Sequence, residues 1–126
     1  MMEKQRGGER MQPIQRQEVQ SLLDQFTGQA VYIHLETTNG AYAGLHSESA
    51  TPVGAYIRNG QVTYTRGTIT GAGSYRVGLK MENGWIYAEG LTDWEVDDAG
   101  RLLLAGHDRE GRLAVALELS LTPFVL

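Results

Sequence analysis

Histidine and carboxylate side chains are the groups of this chain whose types and spacing could carry proton-transfer or metal chemistry. His34 and Glu36 are two residues apart in a segment that alternates apolar and polar residues, so they share one face of a predicted strand. An imidazole and a carboxylate on one face can share a proton or bind a metal ion, with His107 as a third member. The alternative is a structural role, in which each histidine ring forms a hydrogen bond with a carboxylate or a backbone carbonyl. A metal-assisted hydrolase or isomerase therefore remains open, although we assign no metal site and expect no cofactor.

Arg66 is a second candidate because of the strand register that the preceding turn predicts. A two-residue hairpin at Asn59-Gly60 places Arg66 opposite Val53, on the apolar side of the sheet. A guanidinium there needs a carboxylate or an anionic ligand, since an unpaired buried charge is strongly unfavourable. We expect Arg66 either to pair with Glu36 or Glu89 at the rim of the sheet or to bind an anion.

Aromatic side chains form a third group, which points to binding rather than catalysis. The hairpin predicted at Asn83-Gly84 directs Trp85 and Tyr87 outward, away from the core. Tyr and Trp bury a large area and keep a polar end, so such a surface suits a small ligand or a protein interface. The alternative is an ordinary sheet surface. The candidate ligand-binding or interface residues are Tyr32, His34, Glu36, Tyr56, Arg66, Trp85, Tyr87, Glu89 and His107.

The elements that position these residues are predicted to be one helix followed by short strands. Apolar residues at Val19, Leu22, Leu23 and Phe26 form one stripe of an amphipathic helix over residues 15–27. Asn-Gly pairs and a repeated Asp-x-x-Gly-Arg segment then mark tight turns between extended segments. The predicted strands cover residues 29–38, 41–46, 53–58, 61–70, 75–82, 85–90, 92–97, 101–107 and 112–119.

The predicted fold class is mainly β, an antiparallel meander that forms a closed or nearly closed barrel. Closure would remove the edges that a long meander exposes. The segment RLLLAGH (101–107) is apolar on both faces, so something must cover its second face. We expect the N-terminal amphipathic helix to pack there.

Length and composition fit a single small domain and exclude several classes of function. The 126 residues divide into a flexible tail at 1–12 and one β-barrel-like domain at 13–126. The chain has no cysteine, which excludes disulfides, thiolate metal sites and cysteine nucleophiles. A net charge of −4 offers no general attraction to nucleic acid. Without a signal peptide or a membrane-length apolar run, we expect a cytoplasmic protein that does not bind membranes.

Several segments resemble the YojF-like family of uncharacterised bacterial proteins. They are PIQRQEVQSLLDQF (13–26), VYIHLETTNGAYA (31–43), YIRN (56–59), YTRGTITG (64–71), YRVGLKMENGWIYAEGLT (75–92) and GRLLLAGHDREGRLAVALELSLTPF (100–124). The resemblance implies a small cytoplasmic β-barrel-like domain without an assigned activity, and it supplies no catalytic residues. Genes of the family can lie beside one for a LmbE-type deacetylase of low-molecular-weight thiol synthesis, which implies that this enzyme class is a possible partner.

Taken together, the sequence favours a non-enzymatic cytoplasmic protein. In this hypothesis a barrel that self-associates, most simply as a homodimer, binds a small ligand or acts as an accessory to a partner enzyme. The rival hypothesis is the metal-assisted hydrolase or isomerase that uses His34, Glu36 and His107.

Overall fold

The computed structural model describes residues 11–37 and 54–125, and within them one helix and nine strands form two antiparallel sheets. The larger sheet has the strand order β1-β7-β8-β9-β2-β3, and the smaller sheet has the order β4-β5-β6. The elements are β1 (Gln12–Pro13), α1 (Arg16–Phe26), β2 (Val31–Thr37), β3 (Ala55–Val62), β4 (Arg66–Ala72), β5 (Ser74–Lys80), β6 (Trp85–Leu91), β7 (Asp93–Val96), β8 (Leu102–His107) and β9 (Leu113–Ser120).

The mainly β, antiparallel prediction is confirmed, whereas a closed barrel is not. Neither sheet closes on itself in the described part of the chain. Pairing between sequence neighbours builds β4-β5-β6 and β7-β8-β9, while β2 pairs with the distant β9. Both sheets contribute to one hydrophobic core, in which Val77 and Leu79 of the small sheet are fully buried together with Leu104 and Leu117 of the large one.

The N-terminal helix forms where the 3.6-residue period predicts it, and three of its four stripe residues are fully or almost fully buried. Val19, Leu23 and Phe26 enter the core, and Leu22 packs beside it. Gly28 ends the helical segment at φ +80°, a backbone conformation that favours glycine. The Tyr64 phenol donates a hydrogen bond of 2.5 Å to the Leu23 carbonyl near the end of the helix. Burial, followed by the nearby Asp24 charge, raises the pKa of this phenol far above its usual range.

The helix packs mainly against β4 rather than against RLLLAGH, so the predicted docking position is wrong. Gln20 lies at the centre of this contact. Its side-chain amide donates to the Gly67 carbonyl at 2.8 Å and accepts from the Ile69 N–H at 3.0 Å. The amide therefore satisfies backbone groups of an edge strand as a neighbouring strand would. Gly67 fits because an added Cβ would lie 2.9 Å from the Tyr64 ring and 3.4 Å from Leu23 Cβ.

The prediction of a hairpin at Asn59-Gly60 is wrong, because both residues lie within the single strand β3 and the chain does not reverse there. Ile33 of β2 pairs with Gly60 and His34 pairs with Arg58, which leaves Asn59 as an extra residue at φ +62°. Asn tolerates positive φ, so the pair that favours a two-residue turn here forms a β-bulge. The predicted strand 61–70 is accordingly divided between β3 and β4, and the side-chain facings derived from this hairpin do not hold.

The Asn83-Gly84 hairpin is present, but its loop has four residues rather than two. Lys80 pairs with Trp85, and Leu79 pairs with Ile86. A two-residue loop would pair Lys80 with Tyr87, which differs from the structure by two residues along β6. A shift of two keeps each side chain on its predicted face, because strands alternate with a period of two. The outward placement of Trp85 and Tyr87 is therefore confirmed although their partners differ.

The repeated Asp turns are confirmed in detail. Asp97 Oδ1 accepts from the Arg101 backbone N–H at 3.0 Å, and Asp108 does the same for Arg112 at 3.0 Å. In each turn a glycine has φ near +80°. These turns join β7 to β8 and β8 to β9, and the pairing of β8 with β9 shifts by one residue at an irregularity between Gly106 and His107.

Three predictions fall wholly or partly on residues that the structure does not describe. The strand at 41–46 and the Asn39-Gly40 turn lie outside the described ranges, as do residues 1–10. In the part of the chain that is described, no helix is long and apolar enough to cross a membrane.

Candidate binding surfaces

The structure divides the predicted site residues among three places. His34, Glu36 and Tyr56 meet on the large sheet, and Tyr32 precedes them on β2, where it pairs with Gln61 and Ser120. A second group gathers on the outer face of the small sheet, and His107 lies apart from both beside Asp93. The second group consists of Arg66, Trp85, Tyr87 and Glu89.

His34 is buried, and both of its ring nitrogens are occupied. Nε2 lies 3.1 Å from Glu36 Oε1, and Nδ1 lies 3.2 Å from an Arg58 guanidinium nitrogen. Because a guanidinium can only donate, Nδ1 accepts from Arg58 and Nε2 donates to Glu36. Only 8% of the side chain is exposed, and Tyr56 meets the ring edge-on at 5.2 Å between centroids. His34 thus has no nitrogen left for a substrate, which supports the structural alternative.

The C-terminal segment covers this cluster. Asn59 donates from its side-chain amide to the Phe124 carbonyl at 2.9 Å and accepts from the Phe124 N–H at 2.7 Å. The Phe124 ring lies 6.3 Å from His34 and receives the Arg58 guanidinium over its face at 4.9 Å. Arg58 also donates to the Val125 carbonyl at 2.6 Å. The bulge at Asn59 therefore places the amide where it holds the C-terminal segment over His34.

The outer face of the small sheet is a grid of three rows with three residues each. The register aligns its rows as Arg66–Lys80–Trp85, Thr68–Gly78–Tyr87 and Thr70–Arg76–Glu89. The two rings stack with centroids 5.3 Å apart and planes 8° from parallel. They lean over the middle strand, since a Cβ added at Gly78 would lie 2.9 Å from the Tyr87 ring. Gly78 therefore gives the rings the space to form a flat exposed surface.

Cations lie over both rings of this face. Arg76 lies 5.1 Å from the Tyr87 centroid, while Lys80 and Arg66 lie 5.5 and 6.0 Å from the Trp85 centroid. Arg76 also pairs with Glu89 at 2.9 Å. Arg66 is exposed and pairs with neither Glu36 nor Glu89, so its predicted inward placement is wrong. The error follows from the missing hairpin at Asn59-Gly60.

A groove of about 880 Å³ lies where the two sheets meet. We call it the inter-sheet groove; its apolar side includes Leu35, Ala88 and Val115. Its polar side includes Thr92, His107 and Arg109, together with the carboxylates Glu89 and Asp108. His107 Nδ1 lies 3.5 Å from Asp93 Oδ1, and 38% of the histidine side chain is exposed. The Thr92 hydroxyl donates to the same Asp93 oxygen at 2.6 Å. Among the predicted site residues, His107 is thus the histidine that borders a cavity.

The three residues of the metal hypothesis do not meet. His34 pairs with Glu118 of β9, which pairs with Leu103 of β8, and His107 lies four residues farther along β8. Strand spacing and rise place the two histidines roughly 16 Å apart. In residues 11–37 and 54–125, no group of three His, Asp or Glu side chains is arranged to hold a metal ion.

The sequence analysis did not identify several residues that contact the predicted site residues at these three locations. Arg58 and Phe124 complete the His34 cluster, Arg76 and Lys80 complete the outer face, and Asp93 contacts His107. Arg76 and Lys80 were accessible from the sequence, because they alternate with the core residues of β5 and must share the face of the two rings. Phe124 was not, because no local signal pairs the C-terminus with a bulge in β3.

Over its described residues, the chain is a small two-sheet antiparallel β protein with one packed helix and an exposed aromatic surface. More particularly, the chain belongs to the family described as Protein of unknown function (DUF1806), which matches residues 13–124. It is 51% identical over 116 residues to the "Uncharacterized protein YojF" of Bacillus subtilis (strain 168), covering 92% of this chain and 100% of the relative. It is also similar to the "Crystal Structure of Bacillus subtilis YojF protein", with a TM-score of 0.78, 50% identity, and coverage of 92% and 98%. The resemblance to the YojF-like family is confirmed.

Proposed function

We propose that this protein is a non-enzymatic accessory protein whose outer small-sheet face binds an acidic surface of a partner protein. One observation carries the proposal: two stacked aromatic rings are bordered by three cations, in a chain whose net charge is −4. Among the described residues, Arg66 and Lys80 form no ion pair, and Arg76 shares the single carboxylate of the face. Positive charge is thus concentrated where aromatic area is exposed.

The geometry suits carboxylates rather than a stacked base. Cations already lie over the rings, so the aromatic faces are not open to a planar ligand. A guanidinium held over an aromatic ring keeps its N–H edge free, and this edge binds carboxylates in bidentate geometry. The rings therefore restrict the guanidinium groups before a partner binds. Less side-chain conformational entropy is then lost on binding.

A protein partner fits the size of the face better than a small molecule does. The cleft beside the rings has about 190 Å³, whereas small-ligand pockets span roughly 300–1,000 Å³. Trp85 and Tyr87 are 41% and 49% exposed. Trp, Tyr and Arg are the residue types that dominate binding energy at protein interfaces. The partner is therefore expected to present several Asp or Glu residues around an apolar centre, and a LmbE-type deacetylase is the first enzyme to test.

The two tryptophans provide a direct probe of this face. An isotope-labelled full chain is titrated at low salt with a glutamate-rich peptide, and the two indole N–H signals are followed by NMR. The Trp85 signal should move, because its ring is 41% exposed and lies beside the Arg66 and Lys80 cations that would bind the peptide. The Trp94 signal should stay fixed, because that residue is 9% exposed and lies in the core. Movement of both signals, or of neither, contradicts the proposal.

A variant of the proposed face and a control variant elsewhere on the surface test the partner itself. Binding to a purified LmbE-type deacetylase is measured for the wild type, for Arg66→Gln with Arg76→Gln, and for Arg16→Gln on the exposed start of the helix. The double variant should bind at least about tenfold more weakly, and Arg16→Gln should bind as the wild type does. Light scattering of the free chain tests whether the protein instead associates with a second copy of itself. A homodimer that the double variant dissociates would show that a second copy, not a different protein, occupies this face.

A further inference from the structure

The inter-sheet groove has the size and lining of a small-molecule site, and it borders the proposed docking face, with which it shares Tyr87 and Glu89. Its volume of about 880 Å³ falls within the range of roughly 300–1,000 Å³ that small-ligand pockets occupy. Leu35 of β2, Ala88 of β6 and Val115 of β9 form an apolar side, and Ala88 and Val115 are 3% and 6% exposed. The apolar side is therefore part of the packed core.

Glycines hold the two sheets together beside this groove. A Cβ added at Gly106 of β8 would lie 2.0 Å from the Gly90 carbonyl oxygen of β6 and 2.7 Å from Val115. Gly90 itself has φ +83°. The backbones of the two sheets thus touch directly at Gly90 and Gly106, with no side chain between them. This contact fixes the position of one wall relative to the other.

His107 supplies a hydrogen-bonding group at the polar side of the groove. Asp93 Oδ1 lies 3.5 Å from Nδ1, and the Thr92 hydroxyl holds this carboxylate at 2.6 Å. Nδ1 therefore lies on the side of the ring nearest this carboxylate, which leaves Nε2 for a molecule in the groove. An imidazole oriented by a carboxylate on one nitrogen presents its other nitrogen in a defined direction.

Arg109 supplies a positive charge at the same end. It follows Asp108 in the turn between β8 and β9, and the Asp108 carboxylate is already bound by Arg112 at 3.1 Å and by two backbone N–H groups. The other carboxylate that lines the groove, Glu89, is paired with Arg76 at 2.9 Å. Within the described residues, Arg109 has no ion-pair partner of its own. An exposed guanidinium beside an apolar groove attracts a carboxylate or another planar anion.

We propose that the inter-sheet groove binds a small amphipathic acid. Its anionic group contacts Arg109, a hydrogen-bonding group contacts His107 Nε2, and its apolar body lies mainly on the partly exposed Leu35, at the edge of the core that Ala88 and Val115 form. The three features occur together at one cavity, whereas the outer face of the small sheet has cations over rings and only a small cleft.

The probe is the fluorescent amphipathic acid anilinonaphthalene sulfonate, added to the full chain and competed with phenylbutyrate. We expect one bound probe per chain and displacement by phenylbutyrate. Arg109→Gln should weaken binding about tenfold through loss of the charged contact, and His107→Gln should weaken it about threefold. Arg66→Gln, which removes the same charge from the outer face, should leave the affinity unchanged. Ala114→Trp places a large ring at the lining of the groove and should abolish binding.

Each other result overturns the proposal. Absence of bound probe, an unchanged affinity in Arg109→Gln, or unchanged binding in Ala114→Trp would show that the groove is not a site for such acids. Loss of binding in Arg66→Gln alone would place the probe on the outer face. Cooperative urea unfolding of every variant shows that the probe reports on folded protein, because loosely packed chains also bind this dye. Binding to a deacetylase plays no part in this assay, so its result is distinguishable from that of the docking proposal.

Discussion

The two described histidines each lie beside a carboxylate, yet one ring is enclosed by the fold and the other borders a groove. His34 has both nitrogens occupied, is covered by Phe124, and is 8% exposed. His107 has one nitrogen directed at Asp93, borders a groove, and is 38% exposed. A histidine beside an acid is therefore not by itself a site. The second ring nitrogen determines whether a ligand can bind, because only a ring with a free and accessible nitrogen can contact one.

The largest expected effect is the difference in stability between two matched truncations. His34→Ala should lower the free energy of unfolding by about 3 kcal/mol, because it empties a buried ring site and removes a partner from both Arg58 and Glu36. His107→Ala should lower it by less than about 0.5 kcal/mol, because that ring is partly solvated. Urea denaturation of the two variants measures the difference. Equal losses would mean that His107 is as structural as His34.

The contact between the sheets can be broken without touching either histidine. Gly106→Ala should cost about 2 kcal/mol, because its new Cβ would overlap the Gly90 carbonyl, and it should displace the neighbouring His107 from the groove. Gly84→Ala is the matched control, since its nearest neighbour is a flexible Met81 methyl at 3.9 Å. Thermal unfolding and probe binding are measured on both variants. If Gly106→Ala loses stability but binds the probe normally, the contact does not position the groove.

The C-terminal segment that covers His34 provides a third test of the difference between His34 and His107. Asn59→Gly keeps a residue that accepts φ +62° and removes the amide that binds Phe124, so it should cost about 1 kcal/mol. Diethyl pyrocarbonate should then modify His34 faster, at a rate closer to that of His107. Mass spectrometry of the modified peptides measures both rates. Asn83→Gly serves as the control at the other described Asn-Gly pair and should change neither rate.

The contrast also shows which parts of the molecule local sequence can predict. The helix, the Asp97 and Asp108 turns and the outward Trp85 and Tyr87 follow from periodicity and turn chemistry within short segments, and the structure has them. The role of Asn59-Gly60 depends on β3 pairing with β2 rather than with β4, which no local pattern specifies. The inward placement of Arg66 failed for the same reason.

The candidate sites divide along the same line. The shared face of His34 and Glu36 follows from their spacing, so their contact was predictable. Arg58 and Phe124 were not, because a bulge and the C-terminal segment bring them to the ring. For His107, the correct β7–β8 register places Asp93 opposite Ala105. The contact between Asp93 and His107 could therefore have been inferred from that register, whereas the groove depends on how β6 meets β8 and β9 and could not.

The smallest expected effect concerns the two repeated turns, one near each histidine. Burial alone would raise the pKa of the Asp97 carboxyl, but hydrogen bonds from Arg101 and Ala99 and the Arg101 charge outweigh it, so the pKa lies below its ordinary value. Asp97 therefore stabilises the folded chain above its ordinary pKa near 3.8, and this contribution is lost as pH falls through the lower folded value. Arg101 also lies over Phe124 at 5.7 Å, so the turn supports the cover of His34.

Acidification should consequently loosen the His34 side of the molecule more than the His107 side. Backbone hydrogen bonds from Arg112 likewise lower the pKa of Asp108, yet its carboxylate is open to solvent, and water replaces much of what protonation removes. Between about pH 5 and pH 3, the unfolding free energy of the wild type should fall more steeply than that of Asp97→Asn, by less than about 1 kcal/mol in total. Asp108→Asn should follow the wild type more closely. Parallel pH profiles for the wild type and both variants would contradict this, because they would mean that the half-buried turn beside Phe124 gains nothing from its charge.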